Sequence, residues 1–470
     1  MRRGSFWIAS GVVLSSLLTG CSGESEGDEV VLRISNWEEY IDLGDWDEEE
    51  LIELEDGTEI IGENSLIEDF EEWYYETYGV KVRVEYSTFG TNEELYNQIT
   101  IGDTYDLVCP SEYMIMKMLN EGMLLEFSED FKDVENEENY YVRGLSPYIA
   151  QRFNDINIDG KALRDYAAGY MWGTLGIVYN PEEISDEEAS SWKLLLNTSY
   201  RKRMTIKDSV RDAYFAAIAI HYYDQITDEQ FLALPDYKEQ LSAMLNRTDV
   251  DTVAGVEEIL SDIKDNMYAF ETDSGKADMV TGKVIANQQW SGDAVYTMDQ
   301  ADEDGVELCY AMPEEGSNLW FDGWVMLKKG IEEDPRKQQA AEAFANFCAR
   351  PDNAIRNMYY IGYTSVISGG DDDRIFQYVD WSYSAEEDEE DVVDYEIGYF
   401  FTPDEEEYSE YTITCSEDQT RRQLHAQYPL YEEVEKSVIM YFFPAQENER
   451  INRMWTNVRC FDLLEFLKIK

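Results

Sequence analysis

Three short apolar runs, residues 30–35 (VVLRIS), 80–86 (VKVRVEY) and 105–109 (YDLVC), are separated by two stretches with helical signatures. Ser65 and Glu68 form a capping box ahead of an apolar stripe of Leu66, Ile67, Phe70, Trp73 and Tyr74, and Gly79 supplies the stop. Thr91 then opens a second helix that runs through Gln98. A strand–helix–strand–helix–strand order admits few folds, because parallel strands need crossover helices and those helices cover the sheet on both faces. The expectation is therefore an α/β fold.

The same grammar returns later in the chain. Residues 284–289 read as a strand, followed by Trp290-Ser291-Gly292-Asp293 and a helix from Ala294. Residues 306–312 and 319–327 read as further strands, and Pro335 begins a helix with Ala340, Ala341, Phe344 and Phe347 on one face. At 470 residues, 44% of them hydrophobic, the chain can build two domains with separate cores.

In open α/β sheets, ligands sit beyond the carboxyl ends of the strands. The first strand delivers Trp37, Glu38, Glu39 and Tyr40 to that edge, and the strand ending at Cys109 delivers Ser111, Glu112 and Tyr113. The second half adds Trp290 and Asp293, and the strand around Leu319 adds Trp320 and Asp322. Aromatics and acids converge in this list, and bases do not. Each residue alone has an ordinary explanation in packing or helix capping, Asp293 as an N-cap above all. Their coincidence at four strand ends suits an organic cation, which needs carboxylates for its charge and ring faces for its stem. Strand alternation lets only one of Glu38 and Glu39 face inward, and Glu39 is the expected one.

Other chemistry is poorly supported. Only His221 and His425 exist, so neither a multi-histidine metal site nor a serine–histidine–aspartate triad is expected, and no phosphate-binding glycine loop occurs. Residues 155–160 (DINIDG) match half of a calcium loop, but Tyr166 stands at its twelfth position; they read as a turn. No enzyme activity, metal or cofactor is expected. The net charge of −63 repels nucleic acid and permits a cationic ligand without establishing one.

Residues 1–20 carry Arg2 and Arg3 ahead of a short apolar run, a secretory signal too short to span a bilayer. They end in Leu18-Thr19-Gly20-Cys21, which resembles a bacterial lipobox and implies lipidation of Cys21, with residues 21–28 as a linker. Cys109 and Cys309 read as buried small hydrophobes, and a Cys415–Cys460 bridge is open but not selected.

Taken in order, the motifs resemble one family, the spermidine/putrescine-binding components of bacterial ABC importers. The matching segments are residues 36–40 (NWEEY), 105–118 (YDLVCPSEYMIMKM), 172–180 (WGTLGIVYN), Arg211-Asp212-Ala213, 290–294 (WSGDA), 313–322 (PEEGSNLWFD) and Ile361-Gly362-Tyr363. The resemblance implies a two-lobed periplasmic-binding-protein-like fold, each lobe a mixed sheet flanked by helices, with the ligand in a cleft between them. Lobe one would comprise residues 29–168 and 322–372, and lobe two residues 169–321 and 373–470, with 369–411 an acidic surface insertion. It implies Trp37, Tyr40, Ser111 and Tyr113 on one wall with Glu38 or Glu39 near an ammonium, and Asp212, Trp290 and Asp293 on the other. Trp320 would stack on the stem, Asp322 would pair with a terminal amine, and Tyr363 would close the wall. Ser209 stands where spermidine binders commonly carry an acid, and Asp293 resembles putrescine-preferring members, which tilts the expectation toward a diamine. The implied protein is a monomeric lipoprotein outside the cytoplasmic membrane that hands a polyamine to the permease and ATPase subunits of an importer. The alternatives are a receptor for another cationic metabolite and a carbohydrate-binding or glycan-active surface lipoprotein.

Overall fold

The computed structural model describes residues 29–386 and 389–460. The signal, the linker and Cys21 lie outside the described residues. Among those described, no helix is long and apolar enough to cross a membrane.

The first three strands form as expected. Glu29–Trp37 pairs in parallel with Lys81–Phe89 on one side and with Leu107–Val108 on the other. The Leu66–Tyr78 helix between the first two has the Ser65–Glu68 capping box and ends at Gly79 with φ 68°. That left-handed conformation is why glycine serves as the stop. The second half repeats the pattern, with Met204–Lys207 parallel to both Ala269–Glu271 and Ala286–Trp290.

Two long antiparallel strands, Ala168–Tyr179 and Leu319–Leu327, join these parallel halves into one mixed sheet. Leu319–Leu327 pairs with Leu107–Val108, and Ala168–Tyr179 pairs with Ala286–Trp290. Every residue of both long strands is buried, as their largely apolar sequences favour. Leu32, Ile34, Phe70, Leu107, Val325 and Phe344 belong to one core, and Ile177, Ile206, Phe215 and Ile263 to another. The two-lobed α/β expectation holds.

The C-terminal region departs from its expected assignment. Ile375, Tyr378, Val379, Tyr383 and Phe400 enter the first core, and from Met440 to Val458 the buried side chains join the second. The segment read as an acidic surface insertion therefore contains an amphipathic helix, Arg374–Tyr383, and a hairpin of Val392–Glu396 with Thr412–Ser416. Its acids occupy the outer faces and its aromatics, at helical spacing, the inner ones. The earlier insert behaves likewise: Trp46, Ile52, Leu54 and Ile60 are buried, and the Arg356 guanidinium ties Asp42 (2.7 Å) to Asp69 (2.6 Å) beneath them. Cys415 is buried, Cys460 is exposed, and both are free thiols, so the open bridge does not form. Asp159 (φ 50°) and Gly160 (φ 82°) make the turn read from residues 155–160, between strands Asn157–Ile158 and Lys161–Ala162. No metal-ligating cluster exists among the described residues.

Candidate functional site

Asp322 lies on the Leu319–Leu327 strand at a bulge, where the register with Ala168–Tyr179 shifts between Asp322 and Gly323. Its carboxylate accepts hydrogen bonds from the Ser111 hydroxyl at 2.7 Å and the Tyr40 hydroxyl at 2.8 Å. Ser111 is fixed in turn by Asn92, which donates to its Oγ and accepts from its backbone N–H, both at 3.0 Å. Tyr40 packs edge-on against Tyr170 and Tyr363 at 5.6 and 5.4 Å. Trp37 packs against Phe89 with ring centres 4.7 Å apart and tilted by 53°, and its buried Nε1 lies beside the same carboxylate. Trp320 sits 5.6 Å from Tyr363, with an unpaired Nε1.

All of Asp322's hydrogen-bond partners are neutral, and no cationic side chain pairs with it among the described residues. Burial pushes its carboxyl up to about 6 despite the two hydroxyl donors. Glu112, at the start of the Glu112–Asn120 helix, is buried close by, and burial pushes it up to about 8. It is therefore mostly protonated at neutral pH. Sequence reasoning named Glu112 at this strand end but gave it no role.

The second half of the site is different. Asp293 is within the Ser291–Glu303 helix and does not cap it. Its carboxylate accepts from Tyr363 Oη at 3.0 Å and Lys207 Nζ at 3.2 Å, and Lys276 Nζ lies 3.5 Å away. Burial opposes ionisation, but the Lys207 and Lys276 charges outweigh it and hold the carboxyl below its ordinary range. Lys207 also donates to the Thr272 carbonyl at 3.0 Å, faces Glu271 at 3.8 Å, and lies 4.5 Å from the Trp290 ring centre. The Trp290 indole donates to Asp212 at 3.3 Å, and burial raises the Asp212 carboxyl.

Two glycines let the rings approach. A Cβ at Gly292 would lie 2.3 Å from the Tyr363 ring, and one at Gly173 would lie 2.5 Å from Trp320. Both contacts are too short for any side chain, so the WSGDA and WGTLG motifs are also packing requirements.

The structure gathers Trp37, Tyr40, Ser111, Asp212, Trp290, Asp293, Trp320, Asp322 and Tyr363 into one chain of side-chain contacts. Tyr113 is partly buried: its hydroxyl donates to Glu93 at 3.1 Å, and its ring carries the Arg211 guanidinium at 3.9 Å, a contact between halves. Glu38 and Glu39 do not line the wall. The strand ends at Trp37 and both fall in an exposed turn, Glu39 at φ 54°, so strand alternation does not apply to them. The expectation that Glu39 faces inward is corrected. So is the statement that bases do not converge: Lys207, Lys276 and Arg211 all do. Lys207 ends the strand Met204–Lys207, which the sequence reading did not recognise; its signal was a short apolar run just before the Ser209 cap.

A model of the bacterial extracellular solute-binding protein family matches residues 65–377, and the chain belongs to that family. The spermidine/putrescine-binding periplasmic protein of Salmonella typhimurium is 26% identical over 359 residues, covering 76% of this chain and 83% of that protein. The putrescine-binding periplasmic protein PotF of Escherichia coli is 24% identical over 355 residues, with 74% and 80% covered. Among solved structures, the spermidine/putrescine ABC transporter substrate-binding protein PotD from Streptococcus pneumoniae shares the fold with a TM-score of 0.58 at 23% identity, covering 92% of this chain and 98% of that one. The resemblance drawn from the ordered motifs is borne out.

Proposed function

We propose that this chain is the substrate-binding component of an ABC importer and captures a polyamine, putrescine or spermidine, between its lobes. The observation that carries the reading is Asp322, a buried carboxylate with hydroxyl donors and aromatic neighbours but no cationic partner among the described residues. An uncompensated buried charge is costly, and an ammonium supplies the missing partner while Trp37, Tyr40, Trp320 and Tyr363 cover the stem. The names of the relatives support the same ligand class. Ligand contacts to both lobes would favour the closed arrangement, in which Tyr363 meets Asp293 and Tyr113 meets Arg211. The lipobox-like sequence supports an anchor at Cys21, which tethers the receptor beside its permease and ATPase.

Titration of tryptophan fluorescence with putrescine, spermidine and cadaverine tests this reading. A saturable change is expected with at least one amine and none with neutral sugars. Saturation by sugars alone would overturn it in favour of a carbohydrate receptor. Retention in the membrane fraction, lost on Cys21→Ala, tests the anchor.

A further inference from the structure

We infer that Lys207 is a specificity-determining residue: it stands as a resident ammonium at the Asp293–Trp290 end of the cleft, so the receptor reads only one charged end of its ligand. This deepens the reading above and rests on it. An acid, a tryptophan face and a tyrosine hydroxyl make a suitable seat for a ligand's second ammonium. In this chain the seat is already taken. Lys207 Nζ is 3.2 Å from Asp293 and 4.5 Å from the Trp290 ring centre, the two contacts such an ammonium would make.

Lys207 is not a mobile side chain resting there. It emerges from a sheet strand, its side chain is 1% exposed, and the Thr272 carbonyl at 3.0 Å and Glu271 at 3.8 Å hold its head from the far side. Lys276 adds a second positive charge 3.5 Å from Asp293. A ligand ammonium brought to Asp293 would meet two like charges in a site shielded from water. Such repulsion discriminates between ligands as effectively as an added attraction. Asp322, by contrast, pairs with no cationic side chain among the described residues. The ligand class is thus an amine gripped through one primary ammonium at Asp322, and a second ammonium gains nothing from Asp293. The diamine preference read from Asp293 loses its basis, because that carboxylate is matched within the protein.

Calorimetric titration of the wild-type protein with putrescine and with n-butylamine, which has the same carbon chain and one ammonium, tests this directly. The two affinities are expected to agree within about threefold. In Lys207→Met, the ratio of putrescine to butylamine affinity is expected to rise about tenfold or more, because Asp293 regains an open face. Lys276→Met, altering a partly exposed lysine, should move the ratio in the same direction by less. Wild-type preference for putrescine beyond about tenfold, or a Lys207→Met protein whose ratio does not rise, would overturn the inference. The wild-type and Lys276→Met titrations decide the matter if Lys207→Met does not fold. Binding of neither amine by any variant would overturn the amine reading itself, a result distinct from binding without the expected ratio.

Discussion

Asp322 and Asp293 are both buried carboxylates in the same cleft, and each accepts a tyrosine hydroxyl, Tyr40 at 2.8 Å and Tyr363 at 3.0 Å. Their remaining neighbours are of opposite kinds. Asp322 has a serine, and Asp293 has two lysines. The first carboxyl is displaced upward and the second downward. An acid in a cleft is therefore not by itself a cation site. What matters is whether its counter-charge is built into the chain or left for a ligand to bring.

The sharpest way to break this comparison is to remove each acid in turn. Asp322→Ala should weaken amine binding by about 3–5 kcal/mol, measured by calorimetry, because a buried ammonium loses its only charged partner. Its melting temperature should fall less than that of Asp293→Asn, because removal of the buried charge offsets the loss of the Tyr40 and Ser111 hydrogen bonds. Asp293→Asn should do the reverse. Thermal or urea unfolding should show a loss of about 1–3 kcal/mol from stranding Lys207, with amine affinity changed by less than about 1 kcal/mol. If both variants lose binding equally, the two carboxylates are not distinct.

pH separates them further. Asp322 titrates near 6 in the folded protein and in the ordinary carboxylate range when unfolded. An ammonium needs the ionised form, so affinity should fall as pH drops through 6, to about one-tenth of its neutral value by pH 5. For the free protein the sign is opposite. The charge penalty is fully present above pH 6 and is relieved as pH falls toward the ordinary range, so this group makes the native state relatively more stable in mild acid. Asp293 remains ionised across that window and contributes no such slope. The smallest effect is expected from Glu38→Gln and Glu39→Gln. These exposed turn residues should alter affinity by less than about 0.5 kcal/mol each, and high salt should erase the difference.

Much of the scaffold was legible in the sequence. Leu319–Leu327 was read with its observed limits, and the capping box at Ser65 located its helix, because local caps and unbroken apolar runs encode burial directly. The Asp322 half was legible for the same reason, since Trp37, Tyr40, Ser111 and Asp322 follow recognisable strands. The Asp293 half was not. Lys207 and Lys276 lie far from Asp293 in sequence, and a lysine at a strand end reads as solvent-facing until the neighbouring strand brings Glu271 against it. The region 369–411 misled in another way: its acidic composition concealed Ile375, Tyr378, Val379 and Tyr383 on a single helix face.

The bulge at Asp322 has a positional meaning. Leu319–Leu327 packs in the first core and pairs from Leu319 to Trp324 with Ala168–Tyr179, the strand whose side chains enter both cores. The register breaks between Asp322 and Gly323. A ligand held by Asp322 would thus sit where the ladder between the two long strands breaks register, apart from the inter-lobe contacts of Tyr363 with Asp293 and Tyr113 with Arg211.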